Sequence, residues 1–214
     1  MSRMKERRLR RGVLFAIEGI DGAGKTTQSR MLRLHLTQND YEAVVFHEPT
    51  DSEWGRKIRD LAENGRTVRP DVELDYFVRD REYDVEHNIL PALERGLVVV
   101  MDRYYLSNVA YQGALGINLD SIFKMNQFAP EPDLILVLDV SPKIGLARVK
   151  RRENGRPNHF EDLEYLNKVR KIFKGLEERL PNVQIIDAAA PQTRVFEELW
   201  NICIDYLRRK MGYR

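Results

Sequence analysis

Five short apolar runs are spaced along the chain, each bounded by polar or glycine-rich segments. The runs over 97–101 and 134–138 are apolar at every position. This pattern is typical of a strand covered on both faces, and it favours a parallel sheet between layers of helices. The predicted strands are 13–18, 43–47, 97–102, 134–139 and 183–187.

Helical patterns fill the segments between these runs, which are long enough to make the crossovers that parallel strands require. Pro91 is expected to end or kink the third helix. The elements together predict a doubly wound α/β fold in a single domain over residues 1–214. The predicted helices are 25–37, 52–65, 70–95, 104–113, 119–128, 142–151, 161–180 and 193–210.

The first predicted strand is followed by a glycine-rich loop with the P-loop spacing Gly-x-x-x-x-Gly-Lys-Thr. Glycines let the backbone direct several N–H groups at one anion, and the following helix adds its positive dipole end. Lys25 is expected to act at the β- and γ-phosphates, and the Thr26 hydroxyl to hold Mg²⁺. The predicted triphosphate site is Gly19, Ile20, Asp21, Gly22, Ala23, Gly24, Lys25, Thr26 and Thr27.

A magnesium site also needs a carboxylate close to the P-loop. Asp102 and Asp139 each close an apolar run. Asp102 is the better candidate because Arg103 follows it, and a phosphate site uses an anion for the metal and a cation for the phosphate. The sequence therefore predicts Mg²⁺ bound by Thr26 and Asp102.

Composition and charge narrow the class of protein. The formal net charge is +2, so no global field favours nucleic acid. Residues 2–11 contain six basic residues and one acid, and we interpret residues 1–11 as a solvated basic arm, with a nucleic-acid contact as the alternative. The single cysteine, Cys203, allows no intramolecular disulfide, and no run approaches a membrane span. We expect a cytoplasmic protein that binds neither membrane nor nucleic acid.

A triphosphate site alone does not name an activity. The segment from Asp139 to Pro142 lacks the Asn-Lys-x-Asp pattern that binds guanine, which counts against a GTPase. From about residue 13 to residue 207 the chain resembles the thymidylate kinases, P-loop nucleoside monophosphate kinases that make dTDP from dTMP and ATP. The matching segments are 15–28, Glu48-Pro-Thr, Phe77-Val-Arg-Asp-Arg, Asp102-Arg-Tyr, Ser107-Asn and Ala110-Tyr-Gln-Gly.

The resemblance implies the fold and the reaction partners of that family. The implied fold has three layers, with a five-stranded parallel sheet in the order 2-3-1-4-5, flanking helices and a short lid. The implied substrates are dTMP and ATP, with Mg²⁺ as cofactor, in dTTP biosynthesis. A homodimer is implied as well.

The resemblance also assigns roles in a dTMP site. Phe77 and Arg81 lie four residues apart on one helix face, and they match residues that stack on thymine and bind its O4. Tyr111 matches the tyrosine that excludes a 2′-hydroxyl. Asp21 matches the acid between the dTMP 3′-hydroxyl and the catalytic centre. The implied substrate-binding residues are Phe77, Arg81, Arg103 (for the phosphate), Ser107, Asn108, Tyr111 and Gln112 (for the base).

Residues 148–160 form the implied lid, which combines basic residues with a glycine and a proline. Thymidylate kinases carry a catalytic arginine either in the P-loop or in the lid, and Gly22 implies the lid arrangement. Departures around His47 leave the role of Glu48 open, and departures before Phe160 leave open which lid arginine dominates. The implied catalytic residues are Lys25, Asp21, Arg103, Arg151, Arg152 and Arg156.

Two other functions stay open on the sequence. A related deoxynucleoside kinase, or another nucleoside monophosphate kinase, shares the P-loop and the Asp-Arg pair. Glu18 stands where a deoxynucleoside kinase has the base that deprotonates a 5′-hydroxyl. A non-enzymatic ATP-binding switch would instead use the basic arm on nucleic acid.

Overall fold

The computed structural model describes residues 9, 11–152 and 163–212, in which strands and helices alternate. The strands are β1 (Val13–Glu18), β2 (Ala43–His47), β3 (Val98–Asp102), β4 (Leu134–Asp139) and β5 (Val183–Asp187). The helices are α1 (Lys25–Gln38), α2 (Glu53–Asn64), α3 (Pro70–Asp84), α4 (Leu90–Glu94), α5 (Tyr105–Ala114), α6 (Leu119–Met125), α7 (Pro142–Arg152), α8 (Leu163–Gly175) and α9 (Gln192–Lys210).

The five strands form one parallel sheet in the order β2-β3-β1-β4-β5, which confirms the predicted topology. Every residue of β1 and β3 is buried, because helices cover both faces of the sheet. Helix α1 packs on the central strands and on α9, while α8 packs on β4 and on α5. None of the described helices is both long and apolar enough to cross a membrane.

The largest departure from the predicted elements lies in the long helix over 70–95. It is divided into α3, a π-helical turn (Val85–Ile89) and α4. Pro91 lies in the first turn of α4, directly after the π-helical turn. The regular α-helix is therefore interrupted next to this proline, where the sequence predicted an end or a kink. The helix predicted over 161–180 is described from Leu163, and it ends at Gly175 before a 3₁₀ turn (Leu176–Glu178).

The carboxyl ends of the strands meet at one edge of the sheet, where open α/β folds bind ligands. The register of β1 against β3 pairs Ile17 with Asp102, which brings Asp102 and Arg103 beside the loop that follows β1. Of the predicted arm over 1–11, only Leu9 and Arg11 are described. Leu9 is buried in the hydrophobic core, so the arm joins the fold before β1 begins.

Candidate active site

The P-loop lies along a cavity of about 590 Å³. Helix α1 begins at Lys25, directly after Gly24, and no side chain caps its N-terminus among the described residues. Its first-turn N–H groups are therefore available to an anion. Seven residues of the predicted triphosphate site line this cavity, namely Asp21, Gly22, Ala23, Gly24, Lys25, Thr26 and Thr27.

Gly19 and Ile20 act through their backbone carbonyls instead. The Lys25 Nζ donates to the Ile20 carbonyl at 2.9 Å, and an Nη of Arg103 lies 3.5 Å from the Gly19 carbonyl oxygen. Burial and the positive charge of Arg103 lower the pKa of Lys25 to about 8, although the charges of Asp21, Asp102 and Glu18 raise it. Negative charge added beside this ammonium group would raise the pKa again.

Thr26 and Asp102 lie together, as the sequence predicts for a magnesium site. The Thr26 hydroxyl donates to Asp102 Oδ2 at 2.5 Å, and both residues line the cavity. One hydroxyl and one carboxylate suit Mg²⁺, which keeps most of its waters and takes further oxygens from phosphates. The described residues contain no cluster of three or more His, Cys, Asp or Glu side chains placed for a metal.

Asp139, the other acid that closes an apolar run, has a structural role. Its two carboxylate oxygens accept from Arg170 at 2.6 and 2.8 Å. This bidentate pair ties the end of β4 to α8. The preference for Asp102 over Asp139 as the metal ligand agrees with this placement.

Gly22 is closed to any larger residue by the neighbouring helix α7. Its φ is +76°, and a Cβ placed on it would lie 2.1 Å from the Gly145 carbonyl oxygen. A side chain at this position would have to displace backbone as well as adopt a left-handed conformation. The structure therefore offers no room for an arginine at Gly22.

Arg103 connects the P-loop to α5 in a strained conformation. Its φ is +73°, which costs a non-glycine residue roughly 1–2 kcal/mol. The guanidinium donates to Asp21 Oδ1 at 2.5 Å and to Ser107 Oγ at 3.1 Å. A strained backbone conformation persists where the surrounding contacts stabilise it, and here those contacts are made by the guanidinium.

Asp21 is held ionised by its neighbours. Burial alone would raise its pKa, but the positive charges of Arg103 and Lys25 and a hydrogen bond from Tyr111 outweigh burial and lower the pKa to about 2. The Tyr111 hydroxyl donates to Asp21 Oδ2 at 3.1 Å. Asp21 is therefore a carboxylate at neutral pH.

A second cavity, of about 200 Å³, adjoins the first. Phe77, Arg103, Ser107, Asn108, Tyr111 and Gln112 line it, which places six of the seven implied dTMP-binding residues around one space. Asp21 and Arg103 line both cavities. The two spaces therefore meet at an acid–arginine pair.

Arg81 is buried behind this second cavity and does not line it. Its guanidinium forms a two-bonded ion pair with Glu48 and donates to Asn108 Oδ1 at 2.7 Å and Asn126 Oδ1 at 2.5 Å. Asn108 in turn donates to Gln112 Oε1 at 3.1 Å. Glu48, whose role the sequence left open, is thus the partner that orients Arg81.

Glu18 serves as the cap of α5. It is fully buried, and its carboxylate accepts from the backbone N–H groups of Tyr104 and Ser107 at 2.9 and 3.2 Å and from the Ser107 hydroxyl at 2.6 Å. Burial raises the pKa of Glu18, while these hydrogen bonds and the charge of Arg103 lower it. Both carboxylate oxygens accept hydrogen bonds from this region and Glu18 lines neither cavity, which disfavours it as the base for a substrate hydroxyl.

The predicted lid is described only in part. Arg151 lies exposed on α7, where its Nε donates to the Ala147 carbonyl, and Arg152 is the last residue of that helix. Arg156 lies outside the described residues. Arg148 lines the first cavity and donates to the carbonyls of Gly22 and Ala188 at 3.3 and 3.0 Å.

Sequence reasoning missed several residues of these cavities. Arg148 stands within the predicted lid segment, but nothing in its type separates it from the other arginines there. No local signal marks the loop after β5 or the start of α9 as part of a nucleotide site. The missed residues include Arg148, Ala188, Ala190, Gln192 and Val195 at the first cavity, Arg66 and Glu73 at the second, and Glu48 and Asn126 around Arg81.

Comparison with known proteins agrees with this geometry. The sequence model of the family described as thymidylate kinase matches residues 17–199. The chain is 47% identical to a thymidylate kinase of Xylella fastidiosa (strain M12), over 94% of this chain and 91% of that protein. It is 46% identical to a probable thymidylate kinase of Archaeoglobus fulgidus, over 92% of this chain and 98% of that protein. The chain belongs to the thymidylate kinase family.

Proposed function

We propose that this enzyme transfers the γ-phosphoryl group of ATP to dTMP, with ATP on the P-loop and dTMP in the second cavity. One observation carries the assignment of the two sites: Asp21 and Arg103 line both cavities, so phosphates bound in each would meet there. Arg148, Ala188 and Gln192 line only the first cavity, and we assign them to the nucleoside part of ATP.

The reaction requires no strong base. A phosphate oxygen of dTMP is already ionised; it forms a bond to the γ-phosphorus while the bond to the β–γ bridging oxygen breaks, and ADP leaves. Catalysis then consists of alignment and charge neutralisation. Thr26 and Asp102 would hold Mg²⁺, which when bound neutralises charge on the β- and γ-phosphates.

Two cations of the protein complete the neutralisation. Lys25 supplies a buried ammonium at the P-loop, and Arg103 supplies a guanidinium where the two cavities meet. We propose that Arg151, Arg152 and Arg156 add positive charge to the transferred group when the lid closes. The fit of the P-loop against Gly145 supports this assignment, because it leaves no space for an arginine at Gly22.

We assign dTMP recognition to the walls of the second cavity. Phe77 offers a ring for stacking on a pyrimidine, and Gln112 and Asn108 offer amides for its polar edge. Tyr111, held by Asp21, stands as a bulky wall against a 2′-hydroxyl. Arg81 could contact the base directly only if its buried ion pair with Glu48 rearranged. In its present position it would act on the base through Asn108, which it orients.

The position of Glu18 disfavours the nearest rival function. A deoxynucleoside kinase needs a base for a 5′-hydroxyl, and the carboxylate in the matching place is fully buried as a helix cap. We expect ATP-dependent turnover of dTMP to exceed turnover of dUMP, UMP, CMP and thymidine. A coupled ADP-release assay with this panel tests the assignment. Turnover of thymidine without turnover of dTMP would overturn it.

The lowered pKa of Lys25 predicts a pH dependence of ATP binding. This pKa is about 8 in the free protein, and the phosphate charge of bound ATP raises it. ATP therefore binds the form in which Lys25 is protonated, and above pH 8 the protein takes up a proton as ATP binds. We expect the Kd for ATP to rise by up to about tenfold per pH unit above pH 8. Titration calorimetry in two buffers of different ionisation enthalpy measures the uptake. A Kd that does not change between pH 7.5 and 9.5 would contradict the assignment.

Two further proposals concern the oligomeric state and the cellular location of the enzyme. The family resemblance favours a homodimer and a cytoplasmic location. Tyr83 and Leu90 are large apolar side chains that are more than two-fifths exposed on the α3–α4 segment, which gives one surface for self-association. Sedimentation equilibrium of the purified protein would test the dimer.

A further inference from the structure

Arg66 lies in the connection between α2 and α3, and it lines the second cavity. Its Nε donates to Glu73 Oε2 at 2.9 Å, and its Nη2 donates to the Tyr165 hydroxyl at 2.7 Å. The guanidinium also lies over the Tyr165 ring, 4.9 Å from the centroid. One arginine therefore joins three parts of the chain at the wall of the dTMP cavity.

Glu73 makes this arrangement specific to an arginine. Its side chain is 1% exposed, and burial raises its pKa while Arg66 lowers it. A lysine offers one point of charge, whereas the guanidinium fork binds the carboxylate and the hydroxyl through separate nitrogens. Glu73 lines the same cavity, so the pair forms part of its wall.

Tyr165 carries the connection onward to Tyr111. Its hydroxyl donates to the Tyr111 carbonyl at 2.9 Å, and the two rings meet edge to face at 6.2 Å. Tyr111 in turn donates to Asp21, which pairs with Arg103. The contacts run without a gap from α3, through the start of α8, to the P-loop.

We infer that Arg66, Glu73 and Tyr165 form a positioning unit that fixes Tyr111 against the sugar of dTMP and so sets discrimination against a 2′-hydroxyl. The inference rests on the proposed dTMP site. Tyr165 is the third residue of α8, so the unit joins this helix to the wall of the second cavity. None of the three was assigned a role from the sequence.

The test compares Tyr165→Phe and Arg66→Met with the unchanged protein, using dTMP and ribothymidine 5′-monophosphate at saturating ATP. Tyr165→Phe removes one oxygen and keeps the ring. We expect each variant to raise KM for dTMP about three- to tenfold, the effect of losing one or two hydrogen bonds, and to leave KM for ATP within about twofold. We expect the ratio of kcat/KM for dTMP to that for the ribonucleotide to fall several-fold.

Arg179→Met is the matched control. Arg179 also pairs with a carboxylate, Asp120, and also lies over a ring, that of Phe123, but it lines neither cavity. We expect its sugar discrimination to equal that of the unchanged protein. If Arg66→Met does not fold because Glu73 is left unpaired, Tyr165→Phe and Glu73→Gln carry the test.

Failure of the inference differs from failure of the proposed function. Unchanged protein that does not turn over dTMP would overturn both. Active protein whose variants keep the same sugar discrimination, or lose activity equally on both nucleotides, would overturn the positioning unit alone. Loss of discrimination in Tyr165→Phe, at an unchanged melting temperature, supports it.

Discussion

Replacing Lys25 with alanine is expected to lower kcat by about 10³-fold or more, because the buried ammonium neutralises phosphate charge as it redistributes in the transition state. The same replacement is expected to leave the melting temperature at pH 7 unchanged or higher. Burial lowers the pKa of this lysine to about 8 in the folded protein, so the charged form is disfavoured there relative to the unfolded chain. Removing the charge therefore removes a cost of folding.

Steady-state kinetics with varied ATP and dTMP, together with thermal unfolding, measure the two effects. Lys57→Ala is the control, because Lys57 is partly exposed and pairs with Glu53 within α2. We expect that control to match the unchanged protein in kcat. A Lys25→Ala protein that retains a tenth of the activity would exclude Lys25 from the catalytic role. A loss of activity accompanied by a lower melting temperature would indicate a structural role for Lys25 instead.

The sheet and the P-loop were predictable from the sequence because their signals are local. Continuous apolar runs fix strands covered on both faces, and glycine spacing next to Lys25 fixes an anion loop. The order β2-β3-β1-β4-β5 came from the family resemblance, since strand order depends on pairings that local pattern does not encode. Pro91 marked a break in the long helix, but the form of that break had no signal, because a π-helical turn differs from an α-helix only in hydrogen-bond spacing.

Two carboxylates whose roles the sequence left open, Glu18 and Glu48, have partners that lie far along the chain. Glu18 stands at the end of β1, as a catalytic base would, but its partners are the first residues of α5, 86 and 89 positions away. Glu48 has Arg81 as its partner, 33 positions away. A buried carboxylate needs such a partner, yet its identity follows only from tertiary packing.

The strained backbone at Arg103 was also beyond the sequence. Arginine has no special preference for φ near +73°, so nothing local marks the position. The conformation follows from where β3 ends and from the contacts of the guanidinium with Asp21 and Ser107. The strain implies that the direction of the Arg103 side chain is retained despite the conformational cost of its positive φ.

Arg103→Gly is therefore expected to separate activity from stability. Glycine adopts this φ without a steric cost, so the replacement is expected to stabilise the folded state by roughly 1–2 kcal/mol. The lost ion pair with half-buried Asp21 costs up to about 1 kcal/mol after solvent screening. We expect the free energy of unfolding to change by less than about 1 kcal/mol. Loss of the guanidinium where both cavities meet is expected to reduce kcat/KM for dTMP by about 10³-fold or more.

Arg103→Lys is the matched variant, because it keeps the positive charge and the strained φ but loses the fork that reaches Asp21 and Ser107 together. We expect it to be more active than Arg103→Gly and no more stable. Urea unfolding and kinetics with varied dTMP measure both quantities on the same preparations. An Arg103→Gly protein that unfolds several kcal/mol more easily than Arg103→Lys would show that the arginine holds the fold. An Arg103→Gly protein as active as the unchanged protein would remove Arg103 from the phosphoryl-transfer site, whereas equal losses in both variants would show that the fork is needed and charge alone is not enough.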